Sequence, residues 1–404
     1  MFPTEAKTMA APLDDFKQIL ETSRKLELEK LRGAAATSGT IVLLKGAPGT
    51  GRTTLAKALG EAVHYASCKS IRMRSLAQKT PSTLLSLYDG TAVFDDCEMA
   101  PDFFDFLTSQ REAGRALILI GNVGRSRLAK LKADAGAALS VIELAPYWNP
   151  VQVSLLGAGD EPLVQRASLA DFLQDMMAGK LPQIASVRNT NDYWTEWLTA
   201  FIDETAGQVL KTENPRLFYQ YMQALATSAG QEINFSEIAR QCGISSVTAK
   251  AWLEALEDAG VVKEIQPLKT ASRRPVKRSR LLFMDTGLAL YLCSILTEEQ
   301  LRADPNYSGF VFNEFAASLL SQNLEGTELF FYRDSNKSAL DLVVKKAGGV
   351  TSYVFGFTPE ECARKAQFLK LADEFRLEGG PRLLVAVGCS YSPDKINCCV
   401  LELS

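Results

Sequence analysis

Histidine is almost missing from this sequence: in 404 residues only His64 occurs. One imidazole weighs against a His-built metal centre and against a nucleophile activated by histidine. Cysteine is present eight times, at positions 68, 97, 242, 293, 362, 389, 398 and 399, yet never as a C-x-x-C pair. That scatter is expected of reduced, partly buried thiols rather than of a disulfide frame or a zinc site, and it points to a cytoplasmic protein. No apolar run approaches the roughly 18 residues a membrane span needs, so no membrane partner is expected. The stretch Met1 to Leu13 lacks the basic-then-apolar order of a signal peptide. Charge of one sign is missing too. The net charge is -3, so nothing draws the whole chain to nucleic acid, and any such partner has to be met by a local patch.

The composition, 47% hydrophobic and 23% charged, is that of a soluble globular chain, and its length asks for two or three domains. One stretch carries an explicit chemistry: Gly46-Ala47-Pro48-Gly49-Thr50-Gly51-Arg52-Thr53-Thr54. It follows the apolar run Ile41–Leu44 and precedes a helical pattern from Leu55 to Val63. A glycine-rich turn between a buried strand and a helix N-terminus is a phosphate cradle, because its N–H groups converge on an anion within the helix dipole field. The spacing is that of the P-loop, with Arg52 standing where the motif has lysine.

Around this turn the chain alternates short apolar runs with amphipathic helices, which predicts a parallel α/β sheet covered on both faces. An amphipathic helix over Leu13–Arg32 follows a flexible start of about 12 residues. Strands are expected at Ile41–Leu44, near Ser70–Met73, at Ala92–Phe94, at Ala116–Gly121 and at Val141–Leu144. Further on come a loop at Gly157–Asp160 and helices over Ser168–Met177 and Tyr193–Val209. From Pro215 three helices lead into a hairpin with a basic tip, the order of a winged helix-turn-helix. The remainder is α/β, with a helix at Val311–Gln322 and strands between Leu329 and Leu403. The predicted organisation is an N-terminal helix (1–38), a P-loop domain (39–150), a helical linker or lid (151–214), a winged helix (215–285) and a C-terminal α/β domain (286–404).

Four features lie where an ATP site with Mg²⁺ needs them. Gly46, Gly49 and Gly51 let the backbone wrap a β-phosphate. Thr53 can offer its hydroxyl to the metal, and Asp95, ending an apolar strand, can hold it. Asp96 can orient an attacking water. Asn122 ends the next strand, where a polar sensor of the γ-phosphate would sit. All four fall at C-terminal strand ends, where open α/β sheets bind ligands. In the hairpin, Arg273, Arg274, Lys277 and Arg278 make the densest basic run, a candidate DNA-phosphate contact beside a helix opened by Ser246, Thr248 and Lys250. That helix also carries Glu254, Glu257 and Asp258, so a role in protein contacts stays open. In the last domain the helix and strand order is that of restriction-like nucleases. Glu314 and Asp341 fit two of the acidic positions of such a site, but the expected Glu-x-Lys reads Phe355-Gly356-Phe357, so a dead site is expected.

The chain resembles prokaryotic AAA-type ATPases that join a P-loop domain, a winged helix and a C-terminal domain of unknown function with a restriction-endonuclease-like core. The resemblance covers essentially the whole sequence. Beyond the P-loop it rests on Ala178-Gly-Lys-Leu-Pro182, Gly243–Leu253, Leu282–Leu292 with its Met-Asp-Thr-Gly-Leu string, Phe312-Asn-Glu-Phe315, Phe331-Tyr-Arg-Asp334 and Leu340-Asp-Leu-Val-Val344. It implies ATP or ADP as ligand, Mg²⁺, and a homo-oligomer or protein partner. Three departures touch catalytic positions: Arg52 for lysine, Asp96 for the usual glutamate, and Ala137-Ala138 where the family has Gly-Arg. Together they imply weak or absent hydrolysis. Two alternatives stand beside this reading: a working ATPase that uses Arg52, and a non-enzymatic DNA-binding or interaction module with a vestigial ATP site.

Overall fold

The computed structural model describes residues 24–60, 63–110, 115–146, 164–187, 189–204, 214–322, 326–346, 349–377, 381–391 and 399–404. The expected flexible start, the first part of the Leu13–Arg32 helix, the Gly157–Asp160 loop and the end of the Tyr193–Val209 helix lie outside the described residues. The chain divides into two compact units. Among the described residues no helix is long and apolar enough to cross a membrane.

The first unit takes the described residues before 147, together with Leu181–Phe201 and Asp258–Gly260. Its strands are β1 (Ile41–Gly46), β2 (His64–Ser67), β3 (Ala92–Asp95), β4 (Leu117–Ile120) and β5 (Leu139–Leu144). They form one parallel sheet in the order β2-β3-β4-β1-β5. Alternation along each strand sorts two cores. Ile41, Leu43, Phe94, Leu117 and Leu119 face one side, against Phe103, Phe104 and Leu107 of the helix Pro101–Ser109. Val42, Leu44, Val93, Ile118 and Ile120 face the other, against Leu28 and Leu31 of the helix Lys25–Ala35 and Leu55 of the helix Arg52–Lys57. Both faces are covered, which is why these strands read as unbroken apolar runs.

One strand lies elsewhere than its sequence suggests. The strand expected near Ser70–Met73 is the start of a helix, Ile71–Lys79, whose N-cap Ser70 accepts a hydrogen bond from the Met73 amide at 3.4 Å. The true strand, β2, is at the sheet edge with His64 and Tyr65 exposed, so it lacks the apolar signature of its neighbours.

The second unit holds a mixed eight-stranded sheet in the order β6-β13-β12-β11-β10-β9-β7-β8. These are β6 (Val164–Ala167), β7 (Val262–Pro267), β8 (Arg280–Phe283), β9 (Glu328–Arg333), β10 (Ala339–Lys346), β11 (Gly349–Gly356), β12 (Arg382–Val387) and β13 (Cys399–Leu403). The hairpin β7–β8 follows three helices, Pro215–Ala226, Phe235–Cys242 and Ser246–Asp258. Trp252 packs edge-on against Phe218 and Tyr221 to bind the first of these helices to the third. The hairpin is not free-standing: Gln266 and Pro267 of β7 pair in parallel with Phe330 and Phe331 of β9. At the far edge, β6 pairs with β13.

Candidate functional site

The turn from β1 to the helix Arg52–Lys57 holds Gly46, Gly49 and Gly51 at φ 147, 87 and 90°. Gly46 has no room for a side chain, since a Cβ there would strike the Leu144 carbonyl. Thr50 is buried and its hydroxyl closes the turn on the Ala47 carbonyl at 2.8 Å. Thr53 and Asp95 meet: the Thr53 hydroxyl donates to Asp95 Oδ2 at 2.6 Å. The Tyr65 hydroxyl donates to the same oxygen, and the Asp96 amide donates to Asp95 Oδ1 at 2.8 Å. Partial burial of its hydroxyl end and the adjoining Asp95 push the Tyr65 phenol far up, although the residue as a whole is exposed, so it stays a donor.

Asp96 and Asn122 have other partners in this structure. Asp96 sits in the left-handed region at φ 55°, and its Oδ2 accepts from the Ser67 hydroxyl at 2.7 Å, with Lys69 Nζ 3.7 Å from Oδ1. Burial holds its carboxyl above the usual range, while Ser67, Lys69 and Arg52 pull the other way. Asn122 braces the loop from below. It accepts from the Gly46 amide at 3.2 Å and donates to the Gly46 and Ala259 carbonyls at 3.0 and 3.3 Å.

Arg52 Nη1 is buried with no hydrogen-bond partner among the described residues. A guanidinium nitrogen left unpaired in a buried place costs free energy, which an anion arriving at the loop would recover. Electrostatically it faces Asp96 and a residue that sequence reasoning missed, Glu98. Glu98 Oε2 is also buried without a hydrogen-bond partner among the described residues and lies under Gly121, where a Cβ would overlap it. Burial raises the Glu98 carboxyl, and Arg52 partly offsets this. The left-handed turn at Asp96 leads into the short 3₁₀ helix Cys97–Met99 that carries Glu98, a geometry that a Walker-B spacing does not announce.

Two distant pieces of sequence complete the surroundings of the loop. The helix Thr190–Glu204 lays Tyr193 and Trp197 on its apex: a Cβ on Gly49 would come within 3.1–3.3 Å of Tyr193 Oη, Leu181 Cδ1 and Trp197 Nε1. Trp197 Nε1 donates to the Pro48 carbonyl at 3.0 Å and stacks on Phe201. At the other side Gly260, at φ 73°, lies so close to Ala47 that a Cβ would come within 2.9 Å of its amide. The aromatic run Tyr193-Trp194…Trp197…Phe201 was the available signal, but its spacing says only that one helix face is buried.

In the second unit the basic run splits. Arg273 is spent on Glu374, by two bonds of 2.7 and 2.8 Å, and on Asp334 at 3.3 Å. Arg274, Lys277 and Arg278 are exposed. Three strings of the sequence resemblance meet in one buried cluster. The Lys180 amide donates to Asp285 Oδ2 at 2.7 Å, and the Gly287 amide to Asp285 Oδ1 at 2.9 Å. Lys180 Nζ lies 3.4 Å from Asp175 and 3.7 Å from Glu314. Asn313 spans Phe283, accepting from its amide at 2.7 Å and donating to its carbonyl at 2.9 Å. Burial pushes the Glu314 carboxyl up to about 7, against the pull of Lys180. Asp341 has different company: it accepts from the Phe355 amide at 2.9 Å and pairs with Lys365 at 3.4 Å. The two carboxylates considered together for a nuclease centre thus pair with different lysines, Glu314 with Lys180 and Asp341 with Lys365.

These observations define a mixed α/β protein whose parallel sheet resembles that of P-loop nucleotide-binding proteins. A family model described as Domain of unknown function (DUF8612) matches residues 169–299. The chain is 24% identical over 322 residues to the uncharacterized proteins Mb2031c of Mycobacterium bovis and Rv2008c of Mycobacterium tuberculosis, covering 76% of this chain and 68% of each relative. Among solved structures it is similar to a STAND signal-transduction ATPase with a tetratricopeptide repeat sensor from Pyrococcus horikoshii, at 12% identity and a TM-score of 0.24. That likeness covers 74% of this chain but only 45% of the longer STAND protein. A DNA replication initiation factor is similar at 14% identity and a TM-score of 0.25, covering 73% of this chain and 94% of that one. A Drosophila ORC structure bound to DNA is similar at 14% identity and a TM-score of 0.23, covering 72% and 96%. With scores this low, the fold rests on the strand order and register described above.

Proposed function

We propose that the first unit binds ATP or ADP with Mg²⁺ and turns it over slowly or not at all. The observation that carries this is the pairing of Thr53 with Asp95 at the mouth of the glycine turn, 2.6 Å apart, beside an Arg52 nitrogen that is buried and unpaired. The residues fit the group. The turn offers backbone amides to a phosphate, Thr53 and Asp95 would hold the metal, and Arg52 would meet phosphate charge. The metal would supply charge neutralisation between phosphates. The weak turnover follows from what this chain's own groups do. Asp96 is engaged by Ser67 and Lys69, Asn122 is engaged by Gly46, and arginine is a poor substitute for the compact lysine ammonium. Calorimetric titration with ATP and Mg²⁺ is expected to show saturable binding, with phosphate release far below about 1 s⁻¹. No heat and no thermal stabilisation at millimolar ATP would sink the proposal.

A second reading, an ATPase working through Arg52, is favoured by one observation: Glu98 offers a buried, unpartnered carboxylate oxygen in the field of Arg52. Turnover near ordinary ATPase rates, lost in Glu98→Gln, would select it. In the second unit we read the three helices and the β7–β8 hairpin as a winged helix, and the sheet beyond it as a nuclease-like scaffold without nuclease activity. Its exposed Arg274, Lys277 and Arg278 support DNA phosphate contact. Nucleotide state would then regulate DNA or protein binding, in a cytoplasmic protein, alone or as a homo-oligomer.

A further inference from the structure

The second unit carries a half-open cavity of about 670 Å³ that the nucleotide reading does not use. That volume is in the range that holds an organic ligand. Its wall joins sequence-distant pieces: Gly230–Gln231, β8, the stretch Arg302–Phe312, β10, the end of β11 and the helix Pro359–Ala366. Three cations reach it, Arg280, Arg302 and Lys365, against two carboxylates, Asp341 and Glu361. Lys365 Nζ lies between the two acids, 3.4 Å from Asp341 and 3.5 Å from Glu361. Lys365 thus offsets both acids, and among the described residues no three metal-ligating side chains cluster. Arg280 is fixed: it donates to the Asp341 carbonyl at 2.9 Å, and its guanidinium lies 4.5 and 4.8 Å from the Phe312 and Phe331 rings. Its Nε is buried with no hydrogen-bond partner among the described residues. Arg302 is exposed, and it pairs with Glu298 at 2.7 Å within its own helix, a surface pair that a phosphate can displace. Opposite character comes from flat rings. Tyr307 and Phe357 meet edge to face at 6.0 Å, and Phe312 and Phe355 at 5.5 Å.

We propose that this cavity binds a small phosphate ester carrying a flat ring. Lys365 and Arg302 take the phosphate, and Tyr307 and Phe357 take the ring. The wall holds one cation more than carboxylates, and Glu298 offsets it while it holds Arg302, so a dianion is taken as Arg302 turns from Glu298 to the phosphate. Arginine and lysine both meet phosphate oxygens, and an aromatic edge gives the ring a seat that a bare inorganic ion would not need. The site is independent of the glycine loop, and its test can be read whether or not ATP binds there.

The test is calorimetric titration of the full chain with phenyl phosphate, with phenol as the neutral control and a short DNA duplex as competitor. Phenyl phosphate is expected to bind saturably and phenol not at all. Lys365→Gln is expected to weaken the ester by about tenfold or more, as loss of a charge-assisted bond does. Arg302→Gln, an exposed position that leaves the fold alone, is expected to weaken it severalfold and keeps the test readable if Lys365→Gln does not fold. Absence of saturable binding, unchanged affinity in Arg302→Gln and in a folded Lys365→Gln, or displacement of the ester by the DNA duplex would each overturn the proposal.

Discussion

The glycine turn of the first unit and the Lys180–Asp285–Glu314 cluster of the second are both assembled from recognisable strings, and they use them in opposite ways. In the turn, polar groups remain without partners: Arg52 Nη1 and Glu98 Oε2 are buried and unbonded. In the cluster, Asp285 and Asn313 spend both ends of their side chains on backbone groups of their own unit. Gly287 approaches Gly179 so closely that a Cβ would come within 2.6 Å of its Cα. A motif that consumes its own polar groups braces a fold, whereas one that leaves them unpaired at a strand end is built to receive something.

The sharpest way to break this comparison is at Glu314. Its Oε2 is buried with no hydrogen-bond partner among the described residues, and Lys180, Asp175, Asp285 and Thr286 all act on the carboxyl. Its carboxyl titrates near 7 when folded against 4.5 ordinarily, so the folded state holds a proton that the unfolded state has lost. The stabilisation is fully present below about pH 4.5, declines as pH rises, and is gone above about pH 7. The window is worth about 3 kcal/mol, and denaturant unfolding from pH 4.5 to 7.5 is expected to show that decline in the parent and a flatter curve in Glu314→Gln. If Glu314→Gln instead lost stability equally at every pH, the cluster would be more than a brace.

Next in size is Thr53→Ala. Loss of the hydroxyl is expected to weaken Mg–ATP binding by roughly 10–100-fold and to cost stability only about 1 kcal/mol or less, since the Tyr65 hydroxyl still donates to Asp95 Oδ2, measured by titration and by thermal melting. Asn122→Ala should do the reverse. It removes the bonds to Gly46 and Ala259, so about 1–2 kcal/mol of stability is expected to go, with only a modest loss in nucleotide affinity. The smallest effect concerns the basic run. Replacing Arg274, Lys277 and Arg278 by alanine is expected to reduce the salt slope of DNA binding by about 1 for each phosphate that is no longer neutralised. Arg273→Ala is expected to leave that slope alone, because Arg273 is engaged by Glu374 and Asp334.

What could be read from the sequence divides along the same line. β1, the glycine turn and the acid at the end of β3 were legible because each is local: an apolar run, a turn that needs glycine, a polar residue at the strand end. β2 was not, because an edge strand with exposed His64 and Tyr65 carries no apolar run, while Ile71-Arg-Met-Arg alternates like a strand inside a helix. The covering of Gly49 by Tyr193 and Trp197, and the pairing of β7 with β9, depend on contacts between distant residues that periodicity does not encode. Glu98 was missed because the left-handed residue Asp96 redirects the chain just after the strand.

The edge of the larger sheet has a kinetic meaning. β6 finds its partner in β13, and the ion pair Arg166–Glu402 links residues 236 positions apart, while the Leu169 amide donates to the Ser404 carbonyl at 3.0 Å. Contacts of such separation form late, because a long loop must close before they can hold. During synthesis β6 therefore emerges long before the strand that will cover it. Until β13 arrives, its pairing groups stay open to other chains, and the time spent waiting is when this protein is most exposed to misassembly.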